Sequence, residues 1–360
     1  MKHPELVEKA TALLKQMIAT ESLSREEDDV AEIVARFFIE NDVEVHQYKN
    51  NLWAQNKHYD EKKETILLNS HIDTVKPNKD WTLNPFDPKV IDDKLFGLGS
   101  NDAGGCLVSL IATFLYFHKR EDLPFNLVIC ASAEEEVSGK EGIADVWDQL
   151  PNIDFAIVGE PTLMQMAVAE KGLMVLDCVA HGESGHAARN EGVNALYKAI
   201  KDIDWFRNYQ FPKTSPTLGP IKMSVTVIEA GTQHNVVPSE CKFVVDVRTT
   251  DAYSNLETLE IIKKEVGSTV TPRSTRLNPS GAPMDHPVIK AGLNLQKETY
   301  GSPTLSDQAL MPIPSLKMGP GDSARSHTAD EFIYLSEIEK GIEGYIKVLE
   351  GSIIIYSQSK

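Results

Sequence analysis

The stretch Thr65-Ile66-Leu67-Leu68-Asn69-Ser70-His71-Ile72-Asp73 decides the fold. Residues 65–69 form a short apolar run that reads as a buried strand, and the run ends directly in a histidine and a carboxylate. Two later runs repeat the arrangement: residues 126–131 (NLVICA) lead to Glu134, Glu135 and Glu136, and residues 154–158 (DFAIV) lead to Gly159-Glu160-Pro161. Residues 106–119, between them, carry a helix-like apolar face. Buried strands alternating with helical segments predict an α/β fold with a largely parallel sheet. Ligands of such folds gather at the carboxyl ends of the strands.

Working outward, amphipathic helices are expected around residues 3–18 and 26–41. From Gly172 the pattern becomes strand, helix, strand, strand, helix, strand, over LMVLDCVA, NALYKAIKDIDWF, KMSVTVIEA, KFVVDVR, LETLEIIKKEV and TVTPRSTR. This βαββαβ order predicts a ferredoxin-like α+β unit. Near residues 281–287 the chain returns to the first pattern, with a helix over 287–300, a strand over 315–318 and a long final helix after Ser336. The expected organisation is a first domain made of residues 1–171 and 283–360, with an inserted domain at 172–282. The sequence contains no internal repeat and no low-complexity tract.

With 360 residues and 41% hydrophobic content, the chain can build a sizeable core without staples. Its formal charge of −17 repels nucleic acid and anionic membrane. The four cysteines, Cys106, Cys130, Cys178 and Cys241, are far apart and form no CxxC pair, which disfavours both a zinc-thiolate site and a disulfide framework. The N-terminal helix pattern is broken by charges, unlike a secretory signal, and no run is long enough to span a bilayer. The expected location is the cytoplasm.

The chemistry sits where the strands end. His71, Glu134–Glu136 and Glu160 are delivered to one rim, and the glycine-rich FGLGSNDAGG (96–105) lets the Asp102 carboxylate approach a site closely. His327 lies in a later polar segment. Alone, His71 reads as a strand-end histidine bonded to backbone, the glutamates as a solvated loop and Gly159-Glu160-Pro161 as a turn. Their joint placement is better explained by a metal site. Imidazoles and carboxylates without cysteine suit zinc, or cobalt or manganese, at a catalytic site with open positions. Two ions roughly 3.5 to 4 Å apart need a bridging carboxylate, and Asp102 is the best candidate.

In this order the motifs SHIDTV (70–75), GLGSNDAGG (97–105), SAEEEVSG (132–139), VGEPT (158–162), GHAA (185–188), HNVVP (234–238), VDVR (245–248) and HTADEFI (327–333) form a specific set. They resemble the acetylornithine deacetylase and succinyl-diaminopimelate desuccinylase family of two-metal hydrolases, with its aminoacylase and carboxypeptidase G-type members. The arginine-pathway deacylases look closest.

The resemblance implies an aminopeptidase-like catalytic domain with an inserted dimerisation domain, working as a homodimer. It places His71 and Glu160 on one metal, Glu136 and His327 on the other, and Asp102 between them. Glu135 would be the general base and Asp73 would orient His71. His186 would serve the neighbouring subunit at the oxygen that becomes negative, and Asn235 and Arg248 would meet the substrate carboxylate. On their own, His186 reads as a surface-loop histidine and Arg248 as an ion-pair partner. Ser70, Ala103-Gly104 and Glu134 depart from the usual motifs without removing a proposed ligand. The run of three glutamates leaves the register open by one residue, and the following Val137-Ser138-Gly139 favours Glu135 as base.

The implied substrate is an N-acyl amino acid: N-acetylornithine, or N-acetyl- or N-succinyl-citrulline or -ornithine. The alternatives are a dipeptidase or carboxypeptidase, a succinyl-diaminopimelate desuccinylase, and a binding homologue without activity.

Overall fold

The computed structural model describes residues 3–358. The chain divides into two compact units. The first gathers the chain up to Val168 together with Gly281–Tyr300 and the chain from Ser306 onward, and the second gathers Ala169–Ser280 and Gly301–Leu305.

In the first unit the strands Asn126–Ser132, Thr65–His71, Phe155–Val158 and Ser315–Lys317 lie side by side and parallel. Antiparallel strands extend this sheet on both sides, Asn51–Gln55 beyond Asn126–Ser132 and Met166–Glu170 beyond Ser315–Lys317. The runs Thr65–His71 and Asn126–Ser132 are buried at every position because both faces of the sheet are covered. On one face Ile66, Leu68, Leu127 and Ile129 join the helices Pro4–Ile18, Gly105–His118 and Leu335–Gln358 in one core. On the other, Leu67, Val128 and Ala156 pack with Ile143, Val146 and Met311.

The helix expected over 287–300 stops early. It runs Pro287–Asn294, Gln296 takes a φ of 59°, and the Lys297 N–H turns back to the Gly292 carbonyl at 3.0 Å. That closes the helix and frees Thr299–Ser302, which includes a β-branched and an aromatic residue, to form a strand.

The second unit is a four-stranded antiparallel sheet in the order Lys222–Ala230, Glu240–Thr249, Gly172–His181, Thr269–Pro272, which is the ferredoxin-like arrangement. Alternate residues of Gly172–His181 are buried, and Leu176, Cys178, Phe243 and Val245 pack with Ala199 and Phe206 of the helix Ala195–Asn208 and Ile262 of the helix Asn255–Glu265. One face of this sheet therefore carries the core. Among the described residues no helix is long and apolar enough to cross a membrane.

Candidate active site

His71 is the last residue of its strand, and its ring is fixed from behind. Its Nδ1 lies 2.9 Å from the Asp73 main-chain carbonyl and 3.4 Å from the Asp73 carboxylate. The carbonyl is thus the tighter partner, and a proton on Nδ1 fixes the ring so that Nε2 faces the carboxylates. Asp73 orders the neighbouring strand end as well. It accepts hydrogen bonds from the backbone N–H groups of Glu135 (3.0 Å) and Glu136 (3.1 Å) and from Ser24 Oγ (2.7 Å).

His71 Nε2 faces three carboxylates, Asp102 Oδ1 at 3.3 Å, Glu160 Oε1 at 3.8 Å and Glu135 Oε2 at 4.0 Å. The other oxygen of Asp102 lies 3.7 Å from His327 Nε2, which is itself 2.9 Å from Glu136 Oε2. Asp102 therefore stands between the two imidazoles with one oxygen toward each. His327 has a φ of 59°, and Asp102 precedes a cis peptide. Glu134 turns away: its carboxylate meets the Glu141 N–H at 3.3 Å and lies 4.0 Å from Arg25. Of the three consecutive glutamates, Glu135 and Glu136 face the imidazoles.

Burial is the first influence on every one of these carboxyls. It pushes Glu136 upward and, with repulsion from Asp102, raises Glu160 to about 8. Glu135 is pushed well above the ordinary carboxyl range by burial and by the charges of Glu160, Asp307 and Glu136, against the pull of His71. For Asp102 burial is opposed by the hydrogen bond and charge of His71, by Ser326 and by the charge of His327, which together hold the carboxyl below its usual value. Burial alone would keep His71 neutral, but Asp102 and Asp73 overcome it and raise its pKa well above the ordinary imidazole value. The bond to Glu136 raises His327 to about 9.

In this buried cluster the carboxyls outnumber the two imidazoles and crowd one another, an arrangement that added cations would relieve. His71, Asp102 and Glu136 form one group of donors within reach of a single ion, and His71, Glu135 and Glu160 form another. The nearby Cys106 is buried and directs its Sγ to the Pro320 carbonyl at 3.2 Å, so the donors are nitrogen and oxygen. That set fits divalent metal ions of the zinc, cobalt and manganese kind.

Two buried carboxylates had no role in the sequence reading. Glu331 accepts hydrogen bonds from the backbone N–H groups of Asn101 (2.8 Å), Asp102 (2.9 Å) and Gly99 (3.3 Å), and so shapes the loop that presents Asp102. Its position in HTADEFI was the only signal. Asp307 accepts from Ser132 Oγ at 2.6 Å and Asn69 Nδ2 at 2.8 Å, tying together the two strands that carry His71 and Glu135. Nothing in LSDQAL marks it.

His186, Asn235 and Arg248 belong to the second unit. His186 lies on the short strand Gly185–His186, which pairs with Val236–Val237, and is exposed. The Asn235 carbonyl accepts from the Ala187 N–H at 3.0 Å. Arg248 is engaged by Asp246 through two bonds of 2.9 and 3.2 Å.

The sequence profile of Peptidase family M20/M25/M40 matches residues 67–351. A succinyl-diaminopimelate desuccinylase of Wolbachia pipientis wMel is 28% identical over 283 residues, covering 72% of this chain and 69% of its own. A probable carboxypeptidase of Ajellomyces capsulatus is 25% identical over 386 residues, covering 95% and 86%. Among solved structures, the Bacillus subtilis YXEP protein, described as a dinuclear metal binding peptidase from the M20 family, has a TM-score of 0.74 at 17% identity over 98% of this chain and 99% of its own. Its fold is shared. The chain therefore belongs to peptidase family M20/M25/M40 and is a metal-dependent enzyme that hydrolyses amide bonds.

Proposed function

We propose that the chain removes the acyl group from an N-acylated amino acid, with N-acetylornithine and the N-acetyl and N-succinyl derivatives of ornithine and citrulline as the first candidates. The observation that carries the reading is the Asp102 carboxylate between His71 and His327, with Glu135 beside them. His71 and Glu160 would hold one ion, Glu136 and His327 the other, and Asp102 both; zinc is preferred, with cobalt or manganese as alternatives. Bound ions supply Lewis acidity, polarising the acyl carbonyl and lowering the pKa of water.

Glu135, kept basic by burial and its acidic neighbours, takes a proton from the attacking water. Hydroxide adds to the acyl carbon, the carbon–nitrogen bond breaks, and Glu135 returns the proton to the departing nitrogen. The products are a carboxylic acid and a free amino acid. His186 stabilises the developing oxyanion, and Asn235 and Arg248 hold the substrate carboxylate. The two bonds from Arg248 to Asp246 orient its guanidinium and also favour an ion-pair role. Arg248→Ala separates these roles, because losing a clamp on the carboxylate raises KM, whereas losing an ion-pair partner lowers stability and leaves KM unchanged.

A carboxypeptidase or dipeptidase is the second reading, favoured by the probable carboxypeptidase that aligns along nearly the whole chain. The chemistry is shared, since a C-terminal residue is itself an N-acylated amino acid. The desuccinylase relative keeps succinyl-diaminopimelate among the candidates.

A homodimer through the second unit is supported by its free edge. Lys222–Ala230 ends the sheet with Val227 and Ile228 about half exposed, and Tyr197 and Ile200 stand out from the adjacent helix. Four buried free cysteines suit the reducing cytoplasm.

The test measures metal content and release of free amine from N-acetyl and N-succinyl derivatives of ornithine, citrulline and diaminopimelate, then from dipeptides, with Glu135→Ala as control. Metal-dependent turnover, lost in a variant that keeps its ions, supports the hydrolase, and the best substrate decides between the readings. Turnover of no compound by the metal-loaded protein would reject both.

A further inference from the structure

A cavity of about 470 Å3 lies in the first unit, within the size range of small-molecule sites. Two loops that carry metal-site candidates form part of its wall. Leu163 and Met164 follow Glu160 by three and four residues, and Pro320 and Gly321 lead toward His327. Hydrogen bonds zip the loops together: the Leu163 N–H donates to the Gly321 carbonyl at 2.7 Å and the Met164 N–H to the Gly319 carbonyl at 2.8 Å. The opposite wall comes from the final helix and the segment after Pro287–Asn294.

The wall is apolar but studded with ammonium groups. Leu163 is 54% exposed and Leu295 39% exposed. Lys347 pairs with Glu343 at 3.0 Å, and Glu337 pairs with Arg325 at 2.7 Å, so both acidic residues of the wall are engaged. Lys297 and Lys340 have no ion-pair partner among the described residues. Burial first, and then the charge of Lys347, hold the Lys297 ammonium below its ordinary pKa. On a chain of net charge −17 this wall gathers three lysines against two glutamates.

The wall also includes unusual backbone. Leu163 and Met164 have φ values of 54° and 61°, consecutive left-handed residues without a glycine, in the turn that follows Glu160. A molecule wedged between this turn and the final helix would bias the turn and, through the zipper, the loop leading to His327.

We propose that this cavity is an effector site for a small organic dianion with an apolar body, separate from the metal centre. The two unpaired ammonium groups match two negative charges, and Leu163 and Leu295 match the apolar body. The effect on turnover rests on the proposed roles of Glu160 and His327, whereas binding does not.

The metal-loaded protein is titrated calorimetrically with adipate and with phenyl phosphate in the absence of substrate, and the Lys297→Gln/Lys340→Gln variant is titrated likewise. Adipate or phenyl phosphate is expected to bind the wild-type protein saturably and the variant on the order of tenfold more weakly. Leu163→Glu, a change at an exposed position, adds a negative charge to the wall and abolishes binding independently of the lysines. The bound probe is expected to change kcat several-fold in the wild-type protein and not in the double variant. No binding, equal binding to all three proteins, or binding without a change in turnover overturns the assignment. Absence of turnover in probe-free wild-type protein counts against the hydrolase reading instead.

Discussion

Asp102 gives one oxygen to each imidazole because the backbone around it is held by a residue far away in sequence. Glu331 is only 2% exposed and receives three backbone N–H groups from residues 99–102. Glu331→Ala leaves those donors buried and unpaired, at roughly 1–3 kcal/mol each. A loss of about 3 kcal/mol or more is expected in urea unfolding, together with weaker metal retention on dialysis; Glu331→Gln keeps an acceptor and should lose less. A partly buried contact elsewhere has a pH signature. The Glu64 carboxylate lies 2.8 Å from His286 Nε2, and this bond outweighs burial and holds Glu64 below the ordinary 4.5. A carboxyl whose pKa is lower in the folded state stabilises the fold above the unfolded value, and that stability is lost as pH falls through the folded one. The stability difference between wild type and Glu64→Gln is therefore expected to be full at neutral pH and to shrink below about 4.5.

Each element of the first unit's central sheet matters through where it ends. A strand buried on both faces cannot slip by a residue without placing His71 or Glu135 in the core, so hydrophobic burial sets the register of the chemistry. In the second unit the helix Asn255–Glu265 begins with a capping box, in which Ser254 accepts from the Glu257 N–H and Glu257 accepts from the Ser254 N–H. Ser254→Ala is expected to cost about 1 kcal/mol in denaturant unfolding without altering metal content. The parallel strands of the central sheet, the strands of the second unit and most helices were legible in the sequence because their periodicity is local, whereas the antiparallel Asn51–Gln55 and Met166–Glu170 were not read as strands. The helix after Pro287 was not fully legible, since its end depends on the turn at Gln296 and on residues 299–302 pairing elsewhere.

For the whole molecule, the number of chains that complete a site is tested by mixing variants. If His186 acts on the metal centre of a second copy, mixing His186→Ala with Glu135→Ala restores activity that neither variant has alone, because a heterodimer holds one intact pair. Ile228→Glu, on the exposed sheet edge, is expected to shift sedimentation to the monomer and abolish that recovery. The sequence by itself determined the family's ordered motifs, the strand ends that bear His71, Glu135 and Glu160, and the glycine-rich approach of Asp102. These are local patterns, in which an apolar run dictates a strand and the next residues its terminus. Only the tertiary structure decided that Glu134 turns away, that Glu331 and Asp307 brace the centre, and that Lys297 and Lys340 share a cavity wall. Those facts depend on residues up to 238 positions apart in the chain, as in the Asn69–Asp307 bond, and no local periodicity encodes which distant side chains burial will force together.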